Sequence, residues 1–211
     1  APTEEITEAP TEPETDPIPE PINRSEYPKE QAGAKSEVVL KAADFGIKGD
    51  GKTDDSAAIQ SAALAAQNGR GVLYFPEGSY LVENTVTLPR NDALTLKVLG
   101  QNATLVGGDS LNGPMLAIEM KYHFYLYNMN FIHNGQGSCV DALSINARGC
   151  RFTGDAENTA AVAAFHGSDC RFTACSFDAN CPDAYGLTYT KLRDEARNND
   201  TISINDFIID T

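Results

Sequence analysis

Four short motifs recur along the second half of this chain, and their spacing constrains the fold more than any other feature. Asn128-Met129-Asn130-Phe131, Gly149-Cys150-Arg151-Phe152, Ala174-Cys175-Ser176-Phe177 and Asn205-Asp206-Phe207 end on phenylalanines 21, 25 and 30 residues apart. A period in the twenties describes one coil of a solenoid, whose inward side chains are buried only by stacking on the coils above and below. Equivalent positions then form ladders, here one of Phe and one of Met or Cys.

One alternative register competes. Cys150-Arg151-Phe152-Thr153 recurs identically at Cys170-Arg171-Phe172-Thr173, twenty residues on. Aligning Phe152 with Phe177 is preferred, because it places Asn134, Asp155, Asn180 and Asp210 each three residues after a ladder Phe and so creates a polar ladder at one turn. From Val82 to the C-terminus short apolar runs are punctuated by Asn, Gly and Asp with no helical period, which predicts an all-β region.

The first part of the coil region reads differently. Val38 to Gly46 opens with a short apolar strand, and Ile47 to Asp55 carries the glycines and aspartates of a tight polar turn. A helix is predicted next, capped by Thr53 or Asp54, with Asp55 in its electropositive first turn and Gly69 as its stop. Ile59, Ala62, Ala63 and Ala66 fall on one face, small enough to lie close against a support. Val72 to Phe75 and Tyr80 to Val82 are predicted strands around the turn Pro76-Glu77-Gly78-Ser79.

Residues 1–35 stand apart. Seven of the eleven prolines lie between Pro2 and Pro28, interleaved with Thr and Glu, a composition that cannot bury enough apolar surface to offset its ordering entropy. A disordered acidic linker is expected there, with the folded domain over 36–211. Because the sequence stops at Thr211 inside an apparent strand, three expectations stand: a C-terminal truncation, an open end covered by further modules, a continuation or a partner chain, or a small non-catalytic β-helix.

The stretch Asp44 to Val82, DFGIKGDGKTDDSAAIQSAALAAQNGRGVLYFPEGSYLV, resembles the N-terminal signature shared by pectate-lyase-superfamily proteins, rhamnogalacturonases, related glycosidases and phage tailspike depolymerases. The resemblance implies a right-handed parallel β-helix of the pectin-lyase-like kind, in which the helix at 54–68 caps the open N-terminal end. That cap meets a physical need, since an uncapped coil exposes both core and unpaired strand edges. The implied activity is carbohydrate-directed, secreted or at the cell surface, on a polysaccharide or cell-wall glycan. The same scaffold also hosts non-catalytic modules, so an adhesion or glycan-binding module and a phage-type tailspike fragment are the alternatives.

The residues that can carry such chemistry are few. The superfamily's galacturonan hydrolases place Asn-Thr-Asp, Asp-Asp, Gly-His-Gly and Arg-Ile-Lys on successive coils. None is intact in the coil region: Phe165-His166-Gly167 comes nearest, and Asp54-Asp55 belongs to the cap. Hydrolysis needs two carboxyl groups flanking the scissile bond. Elimination needs carboxylates holding calcium against a uronate, plus an Arg or Lys base. The catalytic candidates are accordingly Asp155, Asp178 and Asp169, with His166 as acid or base. Calcium is the one cofactor expected, and only if the reaction is elimination, with Glu157 joining the three aspartates. Arg151, Arg171 and Tyr125 are the substrate-binding candidates; Tyr122, Tyr125 and Tyr127 alternate onto a common face where exposed rings could stack on sugars.

Composition closes off other classes. Thirty acidic against sixteen basic residues give a formal charge of -14, which repels nucleic acid. No run of about 18 apolar residues exists to insert in a membrane, and the N-terminus lacks the order of a signal peptide, so a soluble and already processed chain is expected. The five cysteines show no Cys-x-x-Cys spacing and there are three histidines, so no structural metal site is expected. An odd count leaves at least one thiol free, and core packing is favoured over disulfides.

Overall fold

The computed structural model describes residues 39–69, 71–90, 95–120, 124–155, 157–160, 163–181 and 187–189, with the side chains at 165–169 and 187–189 left out of the description. The expected linker, Tyr122, Asn205 to Phe207 and Asp210 lie outside the described residues.

Thirteen strands run through the described chain: β1 (Val39–Lys41), β2 (Asp50–Asp54), β3 (Val72–Phe75), β4 (Gly78–Val82), β5 (Val86–Leu88), β6 (Leu96–Gly107), β7 (Leu116–Ile118), β8 (Phe124–His133), β9 (Val140–Arg148), β10 (Arg151–Gly154), β11 (Ala163–Thr173), β12 (Ser176–Ala179) and β13 (Leu187–Tyr189). Every pairing between them is parallel, and together they form a β-solenoid of about five turns. The wall has three faces. The first stacks β1, β3 and the leading halves of β6 and β8 on the trailing halves of β9 and β11. The second stacks β2, β4, the trailing halves of β6 and β8, β10 and β12. The third stacks β5, β7, the leading halves of β9 and β11, and β13.

The Phe ladder stands where the period places it. Tyr80, Leu105, Phe131, Phe152 and Phe177 occupy one register on the second face. Phe131 and Phe152 stack at 5.1 Å, and Phe152 and Phe177 at 5.2 Å. Phe172 instead pairs with Ala147 on the first face, so the identical Cys-Arg-Phe-Thr tetrads occupy different faces of successive coils. The polar turn ladder holds too: the N–H groups of Asn134, Asp155 and Asn180 donate to the carbonyls of Gly107, His133 and Gly154, each one coil back.

A single left-handed residue turns the chain from the first face onto the second. Asn102 (φ 51°), Asn128 (51°), Gly149 (62°) and Ala174 (49°) each stand three residues before a ladder position. Asn is among the few residue types with a Cβ that enter this conformation readily, and Gly does so because it has none. At Gly149 a Cβ would lie 2.5 Å from Asn128 Oδ1 in the coil below, so a larger residue there would have to displace that side chain.

The N-terminal end is closed by α1 (Ser56–Gly69), whose Ile59, Ala62, Ala63 and Ala66 are buried against the first coils. Beneath it a cavity of about 20 Å³ is lined only by apolar side chains, among them Ile59, Ala63, Phe75 and Phe131, and offers no polar group to a ligand. Two expectations at this end need correcting. Ile47 to Asp55 is not all turn, because its second half forms β2, which pairs with β4 at the N-terminal edge of the second face. Asp55 precedes the helix rather than sitting in its first turn; its carboxylate accepts the Lys48 and Gly49 N–H groups at 2.8 and 3.0 Å and so ties the preceding loop. The first turn is served by Asp54, which accepts the Ser56 N–H at 2.9 Å, while Thr53 donates its N–H and hydroxyl to Asp50.

Candidate functional site

Inward positions are filled by the core, so chemistry is confined to outward positions and turns. Alternation along each strand decides which side chains these are. On the second face the outward row is Ser79, Thr104, Asn130, Arg151 and Ser176, with Thr153 and Asp178 level in the next row. Arg151 and Asp178 are therefore diagonal neighbours on adjacent coils, and Arg151 Nε donates to Asp178 Oδ2 at 2.9 Å. Both side chains are solvent-exposed, so the pair adds little stability; its effect is to occupy the Asp178 carboxylate.

Asp155 lies beyond β10 in the turn, where its N–H donates to the His133 carbonyl and its own carbonyl accepts the Asn158 N–H, both at 3.0 Å. The two carboxylates are thus on different parts of the coil, one on a sheet face beside an arginine and one at a corner. The side chains of His166 and Asp169 lie outside the description; the backbone sets Asp169 opposite Ser144 on β9. Among the described residues no three His, Cys, Asp or Glu side chains converge in a way that would hold a metal ion.

His133 turns inward and is 0% exposed. Its Nε2 meets the Gly113 carbonyl at 2.8 Å, and Nδ1 has no hydrogen-bond partner. Burial holds its pKa below the usual histidine value. The coils on either side make room with Gly107 and Gly154 at the same register. This histidine packs the interior and is not available to a ligand outside.

The first face carries a different chemistry. Its register aligns Lys97, Tyr125, Asn146 and Arg171 in one row, and Lys41, Tyr74, Leu99, Tyr127, Arg148 and Thr173 in the next. The intervening residues Leu73, Val98, Leu126, Ala147 and Phe172 belong to the core, so both rows face outward. Tyr125 and Tyr127 stack with centroids 6.3 Å apart and planes 13° from parallel. Lys97 is almost covered, whereas Lys41, Arg148 and Arg171 are exposed; Lys97, Tyr127 and Arg171 are each engaged by neighbouring groups. Over the strand segments Val39 to Lys41, Val72 to Phe75, Leu96 to Leu99, Phe124 to Tyr127, Ser144 to Arg148 and Asp169 to Thr173, Asp169 is the one acidic residue. In a chain with nearly twice as many acids as bases, this face concentrates cations and aromatic rings.

Two of the three predicted binding residues, Tyr125 and Arg171, therefore share one row, and Arg151 stands on the adjoining face. Lys97, Arg148 and Tyr74 were not anticipated. A signal for part of this exists: Tyr125, Asn146 and Arg171 each stand six residues before a ladder Phe, and Tyr127, Arg148 and Thr173 each four before.

Comparison with known proteins places these observations. Over 107 residues the chain is 42% identical to the plasmin and fibronectin-binding protein A of Streptococcus pneumoniae, covering 50% of this chain and 13% of that protein. Over 72 residues it is 39% identical to a probable glucan endo-1,3-beta-glucosidase of Arthroderma benhamiae, covering 34% of this chain and 8% of that protein. The chain thus spans only a small part of the curated relatives it matches. Among solved structures, the A-module of mannuronan C-5 epimerase AlgE6 from Azotobacter vinelandii matches at 16% identity and TM-score 0.39, over 70% of this chain and 57% of that one. The model of the family described as rhamnogalacturonase A/epimerase, pectate lyase-like, matches residues 39–209, which takes in every described coil, and the chain belongs to that family.

Proposed function

We propose that this chain is part of a secreted carbohydrate-active protein that processes an anionic, uronate-type polysaccharide, held against the first face. The observation that supports this reading is the pair of outward rows on which Lys41, Arg148 and Arg171 are exposed beside the half-buried Tyr125. Guanidinium groups recognise carboxylates in a planar, two-pronged way, and tyrosine rings offer an apolar surface to a sugar ring. Adjacent coils lie about 4.8 Å apart, so the cations recur along the solenoid axis as carboxylates recur along a uronate chain. The overall negative charge does not oppose this at contact, because exposed charges beyond a Debye length of about 8 Å are screened at physiological salt.

Polygalacturonate and alginate, with dextran as the neutral control, test it directly. Affinity electrophoresis is expected to show retardation by the acidic glycans alone, weakened about tenfold or more in Arg148→Ala/Arg171→Ala. New reducing ends or unsaturated uronate absorbance are expected from the full-length protein. Equal retardation by dextran, or none by either uronate, overturns the reading.

A second reading, a glycan-binding module without catalysis, is favoured by the arginine that engages Asp178. Retardation by uronates with no product, with and without calcium, selects it.

A further inference from the structure

Among the described residues, Cys150 and Cys175 are two nucleophilic side chains of the core that the fold places on adjacent coils. Each stands two residues before a ladder Phe, directly after a left-handed corner residue, on coils that are adjacent and in register. The Ser176 N–H donates to the Cys150 carbonyl at 3.1 Å, which fixes the two backbones side by side at this point. Both side chains point inward with Met129 one coil earlier; the Cys150 thiol lies against the Leu126 and Arg148 carbonyls at 3.6 and 3.5 Å, and the Cys175 thiol against the Thr173 carbonyl at 3.4 Å. Parallel strands at about 4.8 Å separation fall within the Cα range of roughly 4.4–6.8 Å that a disulfide spans. Of the other three cysteines, Cys139 lies against the Thr153 carbonyl, Cys170 lies against the Leu143 carbonyl, and Cys181 is buried beyond β12.

We propose that Cys150 and Cys175 are an oxidative cross-linking site, which a low-molecular-weight disulfide converts into a covalent staple between two successive coils. The two thiols are unequal partners in that step. Cys175 is the less buried, 7% exposed against 2%, so it is the thiol that a small disulfide meets first. The Cys175 thiolate attacks one sulfur of oxidised glutathione, forming a mixed disulfide and releasing one glutathione thiolate. That thiolate accepts the Cys150 proton, the Cys150 sulfur attacks Cys175 Sγ, and a second glutathione leaves. Two protein thiols are oxidised and one small disulfide is reduced to two thiols. The thiolate rather than the thiol carries both attacks, which makes the reaction slow at low pH.

The staple closes a loop of one coil, so its main effect is on the unfolded chain. It stabilises the part of the solenoid farthest from the cap helix among the described coils.

The experiment uses the full chain in its folded state, incubated with oxidised glutathione, alkylated, digested with trypsin and examined by mass spectrometry without reduction. Cleavage after Arg148, Arg151 and Arg171 puts Cys150 and Cys170 on separate peptides, and a Cys181→Ser background leaves Cys175 as the only cysteine on its own. The expected product joins Gly149-Cys150-Arg151 to the peptide beginning at Phe172, with a rise in Tm of about 5 °C or more that dithiothreitol reverses. Cys150→Ser and Cys175→Ser, each compared in reduced form with the parent to verify folding by circular dichroism, are expected to lose both signals, whereas Cys139→Ser keeps them. Separate alkylation or glutathionylation of both thiols after long incubation overturns the proposal, as does a cross-link from either to Cys139 or Cys170. If neither single variant folds, the peptide result in the parent decides alone.

Discussion

Phe152 lies flat on Phe177, with ring centroids 5.2 Å apart and planes 8° from parallel, one full coil of chain between them. Phe131 covers its other side in the same way and Phe172 meets it edge-on from the first face. Replacing Phe152 with Ala removes the shared partner of three rings from a fully buried site and is expected to cost about 3–5 kcal/mol. Urea unfolding monitored by circular dichroism measures it; Phe152→Leu is expected to lose markedly less.

Ala66 and Ala62 are completely buried where α1 meets the first coils. Close approach is the reason for alanine there, so Ala66→Leu is expected to destabilise by about 1–3 kcal/mol through overpacking, although leucine is an excellent helix former. Thermal unfolding distinguishes the two effects, since a gain in Tm would mean that helix propensity outweighs fit.

Ala174 holds φ at 49° without the tolerance of asparagine or the freedom of glycine. Ala174→Gly is expected to stabilise the fold by up to about 1 kcal/mol, because relief of a left-handed alanine outweighs the added flexibility of the unfolded chain. Denaturation midpoints of the two proteins give the sign.

His133 makes the fold pH-dependent. Burial lowers its folded-state pKa below the unfolded value of 6.5, so the neutral ring is favoured in the native state. Its contribution is complete above 6.5 and is lost as pH falls through 6.5 toward the folded-state value, since the unfolded chain takes up the proton first. Tm is expected to fall between about pH 7.5 and about pH 5.5, and the slope to flatten in His133→Gln. Equal slopes in both proteins would locate the titration elsewhere.

Much of this architecture could be read before the coordinates. The Phe ladder was legible because a large side chain recurs at an interior register that tolerates few substitutes, and its alignment with Phe177 followed from the polar turn that accompanies it. The cap helix was legible from four small or branched residues on one stripe. The outward rows were harder. Lys97, Tyr125, Asn146 and Arg171 differ in size, charge and hydrogen-bonding type, so no repeat is visible until the positions are counted back from the ladder. Coil lengths of unequal size added to this, because turns absorb insertions without disturbing strand pairing. Asp155 and Asp178 looked equivalent as carboxylates near successive ladder residues. Only the parallel register separates them, by placing Asp178 level with Thr153 and Asp155 two residues farther on.

The left-handed residue at Asn128 carries a consequence for how this wall tolerates change. Upstream of it the interior belongs to Phe124 and Leu126, and downstream to Met129 and Phe131, so the odd–even assignment switches at that point. Deleting one residue there would turn β8 inside out beyond the bend, wetting Met129 and Phe131 and driving Asn130 and Ile132 into oil. Exchange of exterior letters leaves that parity untouched. Descendants of this chain are therefore free to rewrite what they present to solvent, but not to miscount at the bend.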